Sequence, residues 1–240
     1  KAQFFCYAHN PGTSLTRIMA LLADILVALV AVAVPLTVYY GMFGNIAGGK
    51  MEYSNWFSWH PIFMALAFPG MMTLGRWSYM VDASWSKLEK GTRRKAHAVA
   101  MGLAVLFAAV GYLCVFKAHL PKGQFFGYDF QLSAWKPWSR VAHVWAGYLV
   151  LTLSFAQAAM GAVKMIHLQS GEKILRFHGT LGKIIVLLSA VAVLLAIYLW
   201  SWSPAMKAIL GVLTILGAGF CMQSSTPGPA GEEKPLHGDA

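Results

Sequence analysis

The chain predicts an all-α membrane protein, a bundle of six transmembrane helices with four of them central. Three features predict it: extreme apolarity, six long apolar stretches, and basic residues gathered on one set of loops. Of the 240 residues, 58% are hydrophobic and only 12% are charged, against about 25% charged in soluble domains. A soluble globule is excluded.

The first stretch runs from Ser14 to Met42. At about 1.5 Å per residue it is long enough to cross about 30 Å of hydrocarbon. Similar stretches follow at 56–81, 95–118, 140–165, 176–200 and 204–223, each bounded by Gly, Pro, Lys, Arg or Trp. In lipid every backbone amide must be bonded within its own segment, so spans of this length are helices; barrel strands would be about half as long and alternating. Trp56, Trp59, Trp135, Trp138, Trp200 and Trp202 stand at the proposed ends, where amphipathic rings prefer the interface.

Three regions result: a lead at 1–13, the transmembrane domain at 14–223, and a tail at 224–240 whose S-S-T-P-G-P-A-G-E-E-K-P predicts disorder. The two termini and the loops near 82–95 and 164–176, with Arg17, Arg76 and Lys183 close by, hold about two thirds of the Lys and Arg, which places both termini on the cytoplasmic side. The net charge of +10 points to membrane lipid head groups or acidic small molecules as partners, and no basic helix or stacking platform points to nucleic acid. Cys6, Cys114 and Cys221 make a disulfide framework an unsuitable reading, and no C-x-x-C-H motif is present, so any cofactor is held non-covalently. No soluble catalytic domain is visible, and no side chain is assigned a catalytic role.

Of eight histidines, four lie just inside the starts of spans two to five: His60, His97, His143 and His178. Ionisable groups inside a membrane are costly and usually functional. Any one of them reads equally well as a structural histidine bonded to a neighbouring carbonyl; four in this pattern do not. Antiparallel neighbours start on alternating faces, so His60 and His143 share one membrane level and His97 and His178 the other. Each pair supplies two axial nitrogens for a b-type haem between helices. Zinc is the chemical rival, but it wants four ligands, or three and an open position, and no Cys, Asp or Glu joins either pair in sequence. Gly147 and Gly182, each four residues after a histidine, leave room on the same helical face for a flat macrocycle, although H-x-x-x-G also serves helix packing. Iron with two histidines has no vacant position, so one-electron transfer is the expected chemistry. Helix rise puts the two levels at most about 27 Å apart.

Several segments resemble the cytochrome b561 family of ascorbate-dependent, di-haem transmembrane electron carriers. Trp59-His60-Pro61-Ile62-Phe63-Met64 is similar to its H-P-x-x-M, His143-Val144-Trp145-Ala146-Gly147 to H-S-W-x-G, and Phe177-His178-Gly179-Thr180-Leu181-Gly182 to W-H-x-x-L-G. Basic residues precede His97, and the likeness extends over about residues 15–223. It implies two non-covalent b haems, the outer held by His60 with His143 and the inner by His97 with His178. It also implies transfer from cytosolic ascorbate to monodehydroascorbate or a ferric chelate as outer electron acceptor, and a homodimer as assembly, a larger membrane complex being the assembly of the accessory-subunit alternative.

By the same resemblance, Lys95 and Arg176, each two residues before an inner ligand, become the ascorbate-binding candidates, with Arg93, Arg94, Lys173 and Lys183 in reserve. Paired cations suit an anionic donor or a haem propionate, while their alternative role is as positive-inside anchors. Phe116-Lys117-Ala118-His119 is similar to the end of the family's third span, which makes Lys117 and His119 candidates for the outer substrate site. The chain lacks the second histidine that many members carry in span three, and its Leu120–Arg140 loop is aromatic and Lys-rich rather than closely similar. Two alternatives stand beside electron transfer to ascorbate's partners: a haem-binding anchor or accessory subunit of a respiratory or photosynthetic complex, with 124–138 as docking surface, and a histidine-relay transporter. Asp24, well inside span one, reads as a hydrogen-bonded structural aspartate.

Overall fold

The computed structural model describes residues 14–44, 51–80 and 88–223; the expected lead and tail, with Cys6, His9 and His237, lie outside them. Among the described residues the helical segments line up as six rods. The first is α1 (Ser14–Ala28), a π turn (Leu29–Ala33) and α2 (Val34–Phe43). The second is α3 (Trp56–Ala65), a π turn (Leu66–Met72) and α4 (Thr73–Trp77). Four unbroken helices follow: α5 (Lys90–His119), α6 (Trp138–Gln169), α7 (His178–Leu199) and α8 (Pro204–Met222).

Five of the rods are long and apolar enough to cross a membrane. The expected second span is helical as well, but it is interrupted and diluted by tryptophans, His60, two prolines and Arg76. Pro69 has no N–H and its ring crowds the carbonyl one turn back, so the helix widens into the π turn. Gly70 sits where a Cβ would lie 3.3 Å from the Ala65 oxygen and 3.5 Å from the Ala31 oxygen, which lets the two π-bearing rods approach closely. Asn55 accepts a hydrogen bond from Phe57 N and starts α3, and Ser203 followed by Pro204 starts α8. Asp24 accepts from Trp77 Nε1 at 2.9 Å, a hydrogen-bonded aspartate tying the first rod to the second.

The second rod packs closely on α5, and α6 packs closely on α7, while few residues cross between these two pairs. A seam between two tight helix pairs is therefore the organising feature. Midway along it Met72, Ala104, Val150 and Ile185, from the second rod, α5, α6 and α7, form a buried layer. Ala104, Val150 and Ile185 each come seven residues after a candidate ligand, two helical turns on and so on the same face. That layer separates the two histidine levels.

Between α5 and α6 the chain forms three short antiparallel strands, β1 (Gln124–Phe125), β2 (Tyr128–Asp129) and β3 (Ala134–Trp135), which the aromatic loop had not signalled. Phe126 and Gly127, at φ 58° and 82°, make a two-residue turn with both central residues left-handed. The turn lies down the side of α6: a Cβ on Gly127 would be 3.0 Å from Val141 Cα, and Phe126 packs on Trp145 and Tyr148. Asp129, 2% exposed, fastens the strands by accepting from Lys136 Nζ (2.7 Å), Gln124 Nε2, Gln131 N and Leu132 N.

Lys136, with the Leu132 amide, pushes the Asp129 carboxyl down to about 2. A depressed carboxyl stabilises fully above its unfolded pKa of about 3.9 and stops doing so as pH falls through the folded value. The strands should stay ordered from neutral pH to about pH 4 and loosen between about pH 4 and 2. Asp129→Asn should show the loosened state at pH 7, read as faster amide exchange at 124–135 with exchange in α5 and α6 unchanged.

Candidate cofactor-binding site

His60 stands one turn into α3 and His143 one turn into α6; His97 lies two turns into α5, and His178 opens α7. The imidazoles meet in the expected pairs. Ring centroids of His60 and His143 are 6.4 Å apart with planes at 85°; those of His97 and His178 are 6.5 Å apart at 74°.

Three of the four rings are fixed through Nδ1 to the helix against which they pack. His60 Nδ1 bonds the Gly111 oxygen, His97 Nδ1 the Gly75 oxygen and His143 Nδ1 the Ala192 oxygen, each at 2.9 Å. A carbonyl has no proton to give, so Nδ1–H donates and Nε2 keeps its lone pair, the tautomer a metal ligand requires. The same bonds measure the depth between levels. Gly111 is level with His60, and at about 1.5 Å per residue it lies about 21 Å along α5 from His97. Ala192 is level with His143 and lies the same distance along α7 from His178.

The spacing fits iron. With a metal–imidazole bond of about 2.0–2.1 Å and a ring centroid about 1.2 Å behind its nitrogen, two opposed ligands have centroids about 6.4 Å apart. Among the described residues no group of three or more His, Cys, Asp or Glu gathers to hold a metal ion, so each level offers two donors, the number that axial haem ligation needs. A Cβ on Gly147, four residues after His143, would meet nothing within 4 Å, so space is open on that helix beside the histidine. Gly182 differs from expectation: a Cβ there would lie 3.2 Å from Gln157 Nε2, and its bareness admits that side chain.

The match to known families is decided over this region. The family model of eukaryotic cytochrome b561 matches residues 59–204, a stretch holding all four histidines. The chain belongs to the cytochrome b561 family. Members are transmembrane oxidoreductases that bind b haem and transfer electrons. Among curated proteins none matches the chain.

Around the four histidines, the remaining candidates separate. Lys95 and Arg176 are exposed, each just ahead of the His97/His178 level. Lys183 donates to the Met222 oxygen at 3.1 Å and Lys164 to the Leu175 oxygen at 3.3 Å; Lys183 thereby caps α8. At the other end Lys117 Nζ lies 4.3 Å from the Trp56 ring centroid, a cation–π contact. His119 packs on Phe57, 5.8 Å between centroids, and Phe57 in turn packs on His60 at 6.1 Å and stacks on Trp200. His119 is thus one aromatic ring removed from a candidate ligand. Sequence reasoning passed over Tyr79, whose ring meets His97 edge-on at 5.1 Å, and Gln157, which donates to the His178 oxygen at 2.6 Å. Gln157 had a signal: it is an amide deep inside an apolar span.

Proposed function

We propose that this cytochrome b561 carries electrons across the membrane between two b haems, taking them from ascorbate on the cytoplasmic side and delivering them to monodehydroascorbate or a ferric chelate on the other. Six spans thread the bilayer, the interrupted α3–α4 rod being the second. His60 with His143 holds the outer haem and His97 with His178 the inner one. Two facing imidazole pairs, at spacings matching opposed ligation of one iron, carry this conclusion.

When bound, each haem supplies a one-electron Fe(III)/Fe(II) couple. The protein residues do the rest. Carbonyls of Gly111, Gly75 and Ala192 hold three rings and their protons in place. The layer of Met72, Ala104, Val150 and Ile185 keeps water from the space between levels. Lys95 and Arg176 attract and orient the anionic donor, and Lys117 and His119 receive the acceptor beside Phe57. Excess basic residues around the inner level support a cytoplasmic assignment for that side.

Reduced-minus-oxidised difference spectra of purified protein, followed by ascorbate titration, test the reading. Two b-haem equivalents per chain, both reduced by ascorbate, are expected. Reduction by dithionite but not by ascorbate would favour the accessory-subunit alternative, and a colourless protein would overturn ligation itself.

A further inference from the structure

His178 is the exception among the four candidate ligands. Its Nδ1 is buried and has no hydrogen-bond partner among the described residues, whereas each of the other three donates to a main-chain carbonyl. A neutral imidazole ligating through Nε2 must carry its proton on Nδ1, and a buried N–H without an acceptor is costly.

A candidate acceptor stands on a residue that touches His178. Gln157 on α6 already grips the same residue, its Nε2 donating to the His178 main-chain oxygen at 2.6 Å. One turn on, Gly161 brings α6 so near that a Cβ would lie 3.3 Å from His178 Cε1 and 4.0 Å from Nε2. Residues 157 and 161 share one face of α6, so the His178 ring lies along the face that carries Gln157. The other end of that amide, Oε1, is also buried and without a hydrogen-bond partner among the described residues, as is Ser154 Oγ one turn earlier. An unused donor and an unused acceptor therefore stand on two residues that are already bonded to each other.

We propose that Gln157 is the positioning residue of the fourth ligand: with haem bound, Oε1 accepts the His178 Nδ1–H, directly or through one water shared with Ser154. The inference rests on the bis-histidine reading above. Its consequence is electronic as well as steric. An acceptor on Nδ1–H makes Nε2 a stronger donor, which favours ferric iron and lowers the midpoint potential of the inner centre alone. Because Gln157 Nε2 also holds the His178 main-chain oxygen, a variant that keeps an acceptor oxygen is needed beside one that removes the whole amide.

Potentiometric titration of the full-length protein, resolving the two haem components, is the test. Gln157→Met should keep two haems per chain and raise one midpoint while leaving the other unchanged. Gln157→Glu retains an acceptor oxygen and should hold that midpoint at or below the wild-type value. Unchanged midpoints in Gln157→Met, or a shift of both components together, would overturn the proposal. Should Gln157→Met fail to load haem, Gln157→Glu decides: a loaded protein with a wild-type or lower midpoint supports the role, and equal loss in both variants overturns it. His178→Ala separates this from the underlying assignment. If that variant keeps both haems, the ligand reading fails; if it loses one while Gln157→Met is silent, only the role of Gln157 fails.

Discussion

Replacing His143 by alanine should remove one haem per chain and leave the other, halving the haem-to-protein ratio and the b-type absorbance. The two levels stand well apart in the structure. About 21 Å of helix separates them, and the buried layer of Met72, Ala104, Val150 and Ile185 lies between. Deleting the His143 ring also deletes its bond to the Ala192 oxygen, but α7 keeps its packing on α6 along the rest of its length. His60→Ala should give the same half-loaded protein, because iron held by one imidazole of the pair loses half of its axial support. The surviving haem in both variants should still be reduced by ascorbate, since the inner level and its basic surroundings are untouched. Pyridine haemochrome assay against protein concentration reads the stoichiometry. Two full equivalents in His143→Ala would reject the ligand assignment.

The helices and the histidine pairs were legible because lipid leaves the chain few choices. A stretch such as 178–199 has to satisfy its amides within itself, so apolar length alone announces a helix. A histidine in such a stretch is conspicuous, and antiparallel succession fixes which two share a level. The tertiary spacing of the pairs, 6.4 and 6.5 Å, was not in the sequence; it depends on the loose seam between α3–α5 and α6–α7. The strands between α5 and α6 were illegible for a local reason. Their turn uses Phe126-Gly127 where Asn-Gly is the usual signal, and Phe126 tolerates φ 58° while packed on Trp145 and Tyr148. Gly182 misled because spacing shows which face a glycine occupies but not what opposes it, here Gln157 rather than open space. Lys183, a reserve candidate for the donor site, caps a carbonyl on Met222, and that contact was illegible because it lies on a different helix.

Reversing both charges, with Lys95→Glu and Arg176→Glu together, should slow reduction by ascorbate at least tenfold at low ionic strength while leaving two haems in place. Lys183 and Lys164 are engaged with carbonyl oxygens, whereas Lys95 and Arg176 are exposed at the inner level, where an anion arriving from water meets them first. A hydrogen bond to a charged group contributes about 1.5–3 kcal/mol, and about 1.4 kcal/mol is tenfold in rate or affinity. Solvent screening reduces each contact, but reversal replaces two attractions by two repulsions, so a tenfold loss is a low bound. Ionic strength separates binding from mere anchoring. Wild-type reduction by ascorbate should slow as salt rises, because screening weakens the steering of an anion toward a basic site. In the variant that dependence should flatten or invert. A neutral reduced mediator should reduce wild type and variant at equal rates, since it feels neither charge. If Lys95 and Arg176 act only as positive-inside anchors, the reversal will instead lower the yield of inserted protein, and whatever inserts will accept electrons from ascorbate at the wild-type rate.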